Sequence, residues 1–123
     1  MIYSLIAKET FVLGEYTTFD GDFSERCRKL MIQSRKDSAI KTYTKDDYSY
    51  HLFSNDEGFT FLCMTMSDTN HKIAINFLKK LEYKLMEHIG NSKRQRDLSF
   101  FITKTLKSLM VIHIIFLNVV SLL

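Results

Sequence analysis

The 123-residue sequence has no proline, four glycines and two cysteines. Proline breaks helices and is excluded from central strands, so its absence lets every segment form an uninterrupted helix or strand. The few glycines form no phosphate-binding loop, and no serine stands in a nucleophile-elbow motif. The sequence therefore gives little support to an enzymatic function.

The cysteines and histidines are also poorly spaced for a metal site or a catalytic site. Cys63, His51 and His71 lack the short-range pairs that metal sites usually show, and Cys27 lies on an apolar stripe, where a thiol is inert. We expect both cysteines to be reduced core residues. His51 is predicted as a half-buried strand residue and His71 as a first-turn helix residue. The prediction is a non-catalytic protein with no metal and no cofactor.

The composition is that of one folded domain. Hydrophobic residues make up 46% of the chain, aromatic residues 13% and charged residues 25%. These values exclude a disordered chain, and a net charge of +3 is too small to indicate nucleic-acid binding. The sequence has no N-glycosylation sequon, and Lys8 and Glu9 interrupt its first apolar stretch before a signal peptide could form. We therefore expect a cytosolic location.

Five short runs rich in β-branched and aromatic residues predict strands. The first two are separated by Lys8-Glu9, which is the spacing of a tight hairpin. The last is apolar on both sides, so we expect it at the centre of a sheet covered by helices. The predicted strands are residues 2–7, 10–16, 40–44, 48–53 and 59–66.

A first helix is predicted after the opening hairpin. Asp22 and Glu25 match a capping box, with aspartate in place of serine or threonine. The apolar residues that follow have the spacing of one helix face, which would pack on a sheet. These residues are Phe23, Cys27, Leu30 and Met31.

Two more helices are predicted in the second half of the chain. One runs from Asp68 to about His88, with Gly90 placed to end it. The other is capped by Asp97 after a polar linker, and its apolar stripe reaches Met110. The predicted order of elements is ββαβββαα.

That order and three short stretches resemble the longin domain at the N-terminus of long vesicle-associated membrane proteins, the synaptobrevin-like R-SNAREs. The resemblance covers roughly residues 2–110. It implies an α+β, profilin-like fold in which a five-stranded antiparallel sheet has one helix on one face and two on the other. The stretches are residues 2–8 with 12–17 and 21–23, residues 48–51 with 58–63, and residues 75–78.

The resemblance also implies a binding site. In that family an apolar groove between the first helix and the third strand takes a SNARE helix or peptides of trafficking adaptors. Carried onto this chain, the groove residues are Ile32, Ile40, Lys41 and Tyr43, beside a helix wall formed by the apolar stripe of the first helix. Lys41 is a departure, because the family usually has an aliphatic residue there.

The C-terminal part of the chain is ambiguous. We predict a longin domain over residues 1–110 and an apolar tail over residues 111–123. The tail is an extension of the third helix, a short membrane anchor, or the product of a truncated gene model. As a helix, residues 109–123 would extend about 22 Å, short of a hydrocarbon core of about 30 Å. A SNARE helix is missing from the sequence, so this chain by itself would not zipper into a fusion complex.

A basic cluster lies between the second and third predicted helices. It consists of Lys93, Arg94 and Arg96. A solvated linker and a contact with anionic lipid headgroups are both compatible with it.

The predicted function is a regulatory and sorting module of vesicle transport on the cytosolic face of vesicles or endomembranes. Its partners would be a SNARE helix or trafficking adaptors, with a membrane contact through the tail, and it would be a monomer. Two alternatives remain open: a structural subunit of an adaptor or tethering complex, and a tail-anchored non-SNARE longin protein.

Overall fold

The computed structural model describes residues 1–18, 21, 23–34, 39–91 and 98–122, with residues 34, 91 and 112–122 described by their backbone alone. The predicted order ββαβββαα is confirmed. The strands are β1 (Tyr3–Lys8), β2 (Phe11–Thr17), β3 (Lys41–Lys45), β4 (Tyr48–Ser54) and β5 (Phe59–Met66). The helices are α1 (Phe23–Ser34), α2 (His71–Asn91) and α3 (Leu98–Leu122).

The five strands form one antiparallel sheet in the order β2-β1-β5-β4-β3. The apolar strand β5 lies at the centre, as its composition predicts, and β3 and β2 are the two edges. In β5, Phe61 and Leu62 are fully buried although their side chains point to opposite faces. Both faces of the sheet are therefore covered.

One face of the sheet packs against α1. Cys27 and Met31 of the helix join buried residues of β1, β4 and β5 in a single cluster. The strand members of this cluster include Tyr3, Leu5, Tyr50, Leu52, Leu62 and Met64. The apolar stripe of the first helix was thus correctly predicted to face a sheet.

The opposite face packs against α2 and α3. Its cluster contains Phe61 and Cys63 of β5 together with the apolar stripes of both helices. Ser4 of β1 donates a hydrogen bond to the Met110 sulfur at 2.8 Å, which joins α3 to the sheet. The sheet therefore has one helix on one face and two on the other, as the predicted fold class requires.

The ends of α2 differ from the prediction. The helix begins at His71 rather than Asp68, because the Asn70 side-chain oxygen accepts a hydrogen bond from the Lys72 backbone N–H at 2.9 Å and so caps it. Gly90 lies inside the helix, which ends at Asn91. The predicted caps Asp22 and Asp97, and the basic residues Lys93, Arg94 and Arg96, lie outside the described residues.

Both cysteines are buried and reduced, as predicted. Burial raises the pKa of Cys27 to about 12, and burial also raises the pKa of Cys63. A thiol that stays protonated is a poor nucleophile. Both residues therefore act as small apolar side chains of the core.

Helix α3 continues without a break from the predicted domain across residue 110, where the predicted tail begins. Met110 is fully buried and Val111 is exposed. Within the part of the chain that the structure describes, no helix has the length and apolar character needed to span a membrane. The division at residue 110 and the three interpretations of the tail stay predictions.

His51 is fully buried, so its prediction as a half-buried residue is wrong. Its side chain lies between β3 and β5 and contacts a hydroxyl at each ring nitrogen: Thr42 Oγ1 is 3.0 Å from Nδ1, and Thr65 Oγ1 is 3.1 Å from Nε2. The exposed ring of His71 packs edge-on against the ring of His51, at a centroid distance of 5.4 Å. Burial, and secondarily the charge of His71, lowers the pKa of His51 to about 4.

We therefore expect His51 to make the protein less stable in acid. The unfolded chain takes up a proton on His51 below its ordinary pKa of about 6.5, whereas the folded chain resists protonation until about pH 4. Stability from this residue is thus complete above about pH 6.5 and is lost as the pH falls. The loss between about pH 7 and about pH 4.5 should be about 2 kcal/mol.

Urea unfolding of wild type and His51→Gln across this range measures that loss. Glutamine keeps a hydrogen-bonding side chain but does not titrate, so the variant should lose less stability on acidification than the wild type. The variant's own destabilisation at neutral pH does not affect the comparison. Parallel stability-against-pH curves would show that His51 does not contribute.

Candidate functional site

The outer part of the α1 face lies between α1 and the edge strand β3. Residues directly opposite each other in an antiparallel pair point to the same face of the sheet. Tyr43 of β3 is opposite Tyr50 of β4, and Lys41 is opposite Leu52. Because Tyr50 and Leu52 belong to the α1 cluster, Lys41 and Tyr43 also lie on the α1 side.

A hydrogen bond identifies the flank of α1 that faces this strand. The Arg26 guanidinium donates to the Tyr50 hydroxyl at 3.0 Å. Leu30 is one turn further along the same flank and is half-buried against the α1 cluster. The hydrogen bond and then the charge interaction with Tyr50 raise the pKa of Arg26, so the guanidinium stays positively charged beside the tyrosine.

The other flank of α1 faces β2. The Arg28 guanidinium is 3.2 Å from a Glu15 carboxylate oxygen, and the Ser24 hydroxyl donates to Glu15 at 3.0 Å. Tyr3 also donates to this carboxylate. Its hydrogen bonds with Tyr3 and Ser24 and the charge of Arg28 lower the pKa of Glu15 against the opposing effect of burial. This network fastens the start of α1 to the first hairpin.

The structure does not bring all four predicted groove residues together. Ile32 is one turn after Arg28, so it lies on the flank that faces β2, where it is 52% exposed. Ile40 packs against the cluster on the α2–α3 face of the sheet. The predicted set is thus revised at these two positions, whereas Lys41 and Tyr43 lie side by side on one strand face.

We call the resulting set of residues the α1–β3 surface. Tyr43 is 39% exposed at its edge, next to the buried ring of Tyr50. The surface combines an apolar and aromatic floor with basic side chains around it. Its members are Arg26 and Leu30 on α1, Tyr50 and Leu52 on β4, and Lys41 and Tyr43 on β3.

Arg26 and Tyr50 were missed by sequence reasoning. The two-residue turn at Asp46-Asp47 places Lys45 opposite Tyr48, and counting back along the hairpin places Tyr43 opposite Tyr50. That count was available from the sequence once the turn was recognised. The flank on which Arg26 lies was not, because it depends on the rotation of α1 about its axis.

Two cavities lie away from this surface, on the α2–α3 side of the sheet. One, of about 280 Å³, lies between α2 and α3 beside His88, whose ring stacks on Phe101 at a centroid distance of 3.7 Å. The other, of about 290 Å³, lies beside Phe11 and Leu98. Across the described residues, no group of three or more histidine, cysteine or acidic side chains could hold a metal ion.

Comparison with known proteins identifies the family. The sequence model of Longin, a regulated-SNARE-like domain, matches residues 13–105, which is most of the chain. This chain belongs to the longin family. The ββαβββαα order and the five-stranded antiparallel sheet agree with that assignment. Longin domains of vesicle-associated membrane proteins are non-enzymatic, so the chain is a non-catalytic module.

Curated relatives agree with the assignment. The longin chain is 32% identical over 82 residues to vesicle-associated membrane protein 727 of Arabidopsis thaliana, covering 67% of this chain and 34% of the relative. It is 25% identical over 113 residues to vesicle-associated membrane protein 7B of Dictyostelium discoideum, covering 89% of this chain and 43% of the relative. The longin chain spans half or less of each of these relatives.

Proposed function

We propose that this longin domain is a regulatory and sorting module of vesicle transport that binds a SNARE helix or an adaptor peptide on its α1–β3 surface. The observation that carries the proposal is the exposed Tyr43 ring beside the buried Tyr50, at the edge of a sheet and next to a helix. Large aromatic side chains in such positions are frequent centres of protein binding sites. The relatives are vesicle-associated membrane proteins, which supports a role in vesicle transport.

The geometry offers two familiar ways to bind a segment of protein. An amphipathic helix would lay its apolar side on the exposed Tyr43 and the half-buried Leu30. An extended segment would add a strand to the outer edge of β3. Both use hydrophobic complementarity and leave the ligand chemically unchanged.

Related features of the protein are proposed with this function. The domain would act as a monomer on the cytosolic face of vesicles or endomembranes, over residues 1–110. Residues 111–123 and the basic residues Lys93, Arg94 and Arg96 would contact the membrane. A chain that is insoluble or dimeric alone would instead favour a structural subunit of an adaptor or tethering complex, which sedimentation of the purified chain would reveal.

Replacing Tyr43 with alanine should weaken ligand binding about tenfold or more, as expected for an aromatic residue at the centre of a binding site. The ring packs on the surface of an edge strand, so the melting temperature should change little. Calorimetric titration with a synthetic SNARE-helix peptide of a long vesicle-associated membrane protein measures the affinity.

Tyr83→Ala is the matched control, because Tyr83 is 69% exposed on α2 on the opposite side of the sheet. It removes the same side chain from a surface that the proposal does not use. Equal affinities of wild type, Tyr43→Ala and Tyr83→Ala would contradict the proposed site. An adaptor-derived peptide provides the second ligand for the same comparison.

A further inference from the structure

We infer that the outer side of α2 and α3 lies on the surface of an anionic membrane, with the α1 side of the sheet directed toward the cytosol. This inference rests on the proposed membrane contact and specifies which face of the folded domain makes it. It does not depend on a ligand at the α1–β3 surface. The residues that carry it form what we call the α2–α3 face: Lys79, Lys80, Tyr83 and Lys84 on α2, with Phe100 and Lys104 on α3.

Helix α2 presents lysines around an exposed tyrosine. Tyr83 is 69% exposed, and the exposed Lys79 is one turn before it on the same side of the helix. Lys84 lines the cavity between α2 and α3, and Lys80 is one turn before it. The fully buried Leu81 lies on the opposite side, in the cluster against the sheet. The outer side of α2 is therefore basic.

Helix α3 has a stripe of the same kind. Phe100, Lys104 and Lys107 are exposed and have the spacing of one helix face. The opposite side of the helix contains Ile102 and Leu106, which are fully buried in the cluster that also holds the apolar stripe of α2. Because both helices cover the same face of the sheet, their exposed sides form one outer surface, directed away from α1.

Positive charge is concentrated on this surface. Across the exposed positions of α2 and α3 that the structure describes, six residues are lysines and one, Glu87, is acidic. This excess is larger than the net charge of the whole chain, +3, so the remaining residues together are negative. On the α1 side, Arg28 is 3.2 Å from Glu15, and Lys29 is 3.4 Å from Glu25. The α2–α3 face is thus the side of the domain that an anionic surface would attract.

Three further features favour a membrane as the anionic partner. Phe100 is 72% exposed, and exposed aromatic rings such as Phe100 and Tyr83 are typical of proteins that lie in the headgroup region of a bilayer. Clusters of lysines on such helices bind anionic lipids. Helix α3 also continues to Leu122, and its sequence has no acidic, lysine or arginine residue after Lys107. The basic stripe therefore stands directly before an apolar segment of the same helix.

Co-sedimentation of the whole chain with vesicles measures this contact. The chain should bind phosphatidylcholine vesicles that contain phosphatidylserine more tightly than pure phosphatidylcholine vesicles. The double variant Lys80→Gln with Lys104→Gln should weaken binding to the anionic vesicles about 10- to 30-fold, because each lysine near an anionic surface contributes to the attraction. At about 1 M salt the preference for anionic vesicles should largely vanish.

Lys29→Gln with Lys45→Gln is the matched control variant. It lowers the net charge equally, but Lys29 is on α1 and Lys45 is opposite Tyr48 on the α1 side of the sheet. These charges are screened from a membrane on the other side, so binding should fall no more than about threefold. Circular dichroism melting shows whether each variant is folded.

Single tryptophans identify the face that touches the lipid. The sequence has no tryptophan, so Phe100→Trp, Tyr83→Trp and Ile32→Trp each introduce one fluorescent probe. Ile32 is 52% exposed on α1 and serves as the control position. With vesicles that contain brominated phospholipids, the fluorescence of Phe100→Trp and Tyr83→Trp should be quenched, whereas that of Ile32→Trp should not.

The outcomes separate this inference from the function on which it rests. Vesicle binding without quenching at any of the three positions would overturn it and keep the proposed contact through residues 111–123. Quenching at Ile32→Trp alone, or equal losses in the two lysine variants, would also overturn it. Binding of single-stranded DNA through Lys80 and Lys104, without quenching by lipid, would overturn it in favour of a nucleic-acid surface. Failure of all vesicle binding would contradict the proposed membrane contact itself, whereas titration with the SNARE-helix peptide tests the α1–β3 surface separately.

Discussion

Replacing Phe61 with alanine is expected to lower the free energy of unfolding by about 3–5 kcal/mol, the usual cost of removing a buried aromatic ring. Phe61 is fully buried on the central strand β5, and its ring stacks on Phe53 at a centroid distance of 5.2 Å. The ring belongs to the cluster that α2 and α3 cover. Its loss leaves a cavity that a sheet held on both sides cannot close. Urea unfolding followed by circular dichroism measures the change.

Phe11→Ala is the matched control for this prediction. Phe11 also lies on a strand, but it is 74% exposed at the edge of the sheet. Its replacement should change the unfolding free energy by no more than about 0.5 kcal/mol. Similar losses in the two variants would mean that β5 is not the centre of the core.

Replacing Gly14 with alanine should also destabilise the protein, by about 1–3 kcal/mol. Glycine inside a strand is normally a weakness, so alanine there would ordinarily stabilise. Here an added Cβ would lie 2.6 Å from Ile102 Cγ2 and 3.1 Å from Thr103 Oγ1. Ile102 is fully buried and β-branched, so α3 would have to move away from β2.

A double-mutant cycle with Ile102→Ala tests this explanation. Ile102→Ala alone should cost about 2–5 kcal/mol, because it empties a core position. It also removes the atom that the new Cβ would meet. The double variant should therefore be more stable than the sum of the single effects by about 1 kcal/mol or more. Additive losses would show that the contact between β2 and α3 is not the cause.

Local patterns were sufficient to predict the secondary structure. The apolar run of β5 predicted a central strand, and the stripe of Cys27 and Met31 predicted which side of α1 is buried. These patterns depend on residues close together in sequence. Helix ends were less predictable, because the cap at Asn70 competes with neighbouring Asp68 for the same role.

The candidate site was only partly predictable. The resemblance to the longin family placed Lys41 and Tyr43 in the groove, and strand alternation puts both on one face of β3. Placing Ile32 required the rotation of α1 about its axis. Placing Ile40 required the side of the sheet against which the residue before β3 packs. Neither quantity has a local signal.

The sequence by itself determined the order of elements and the buried stripes of the helices, because each element carries its periodic pattern of apolar residues in its own sequence. It also determined the central position of β5, because that strand is apolar on both faces. The tertiary structure decided which flank of α1 faces β3. Contacts between residues distant in sequence hold that rotation: Arg26 bonds Tyr50, and Arg28 bonds Glu15 on the opposite side. The same kind of long-range contact makes Gly14 necessary, since only the packing of α3 brings Ile102 against it.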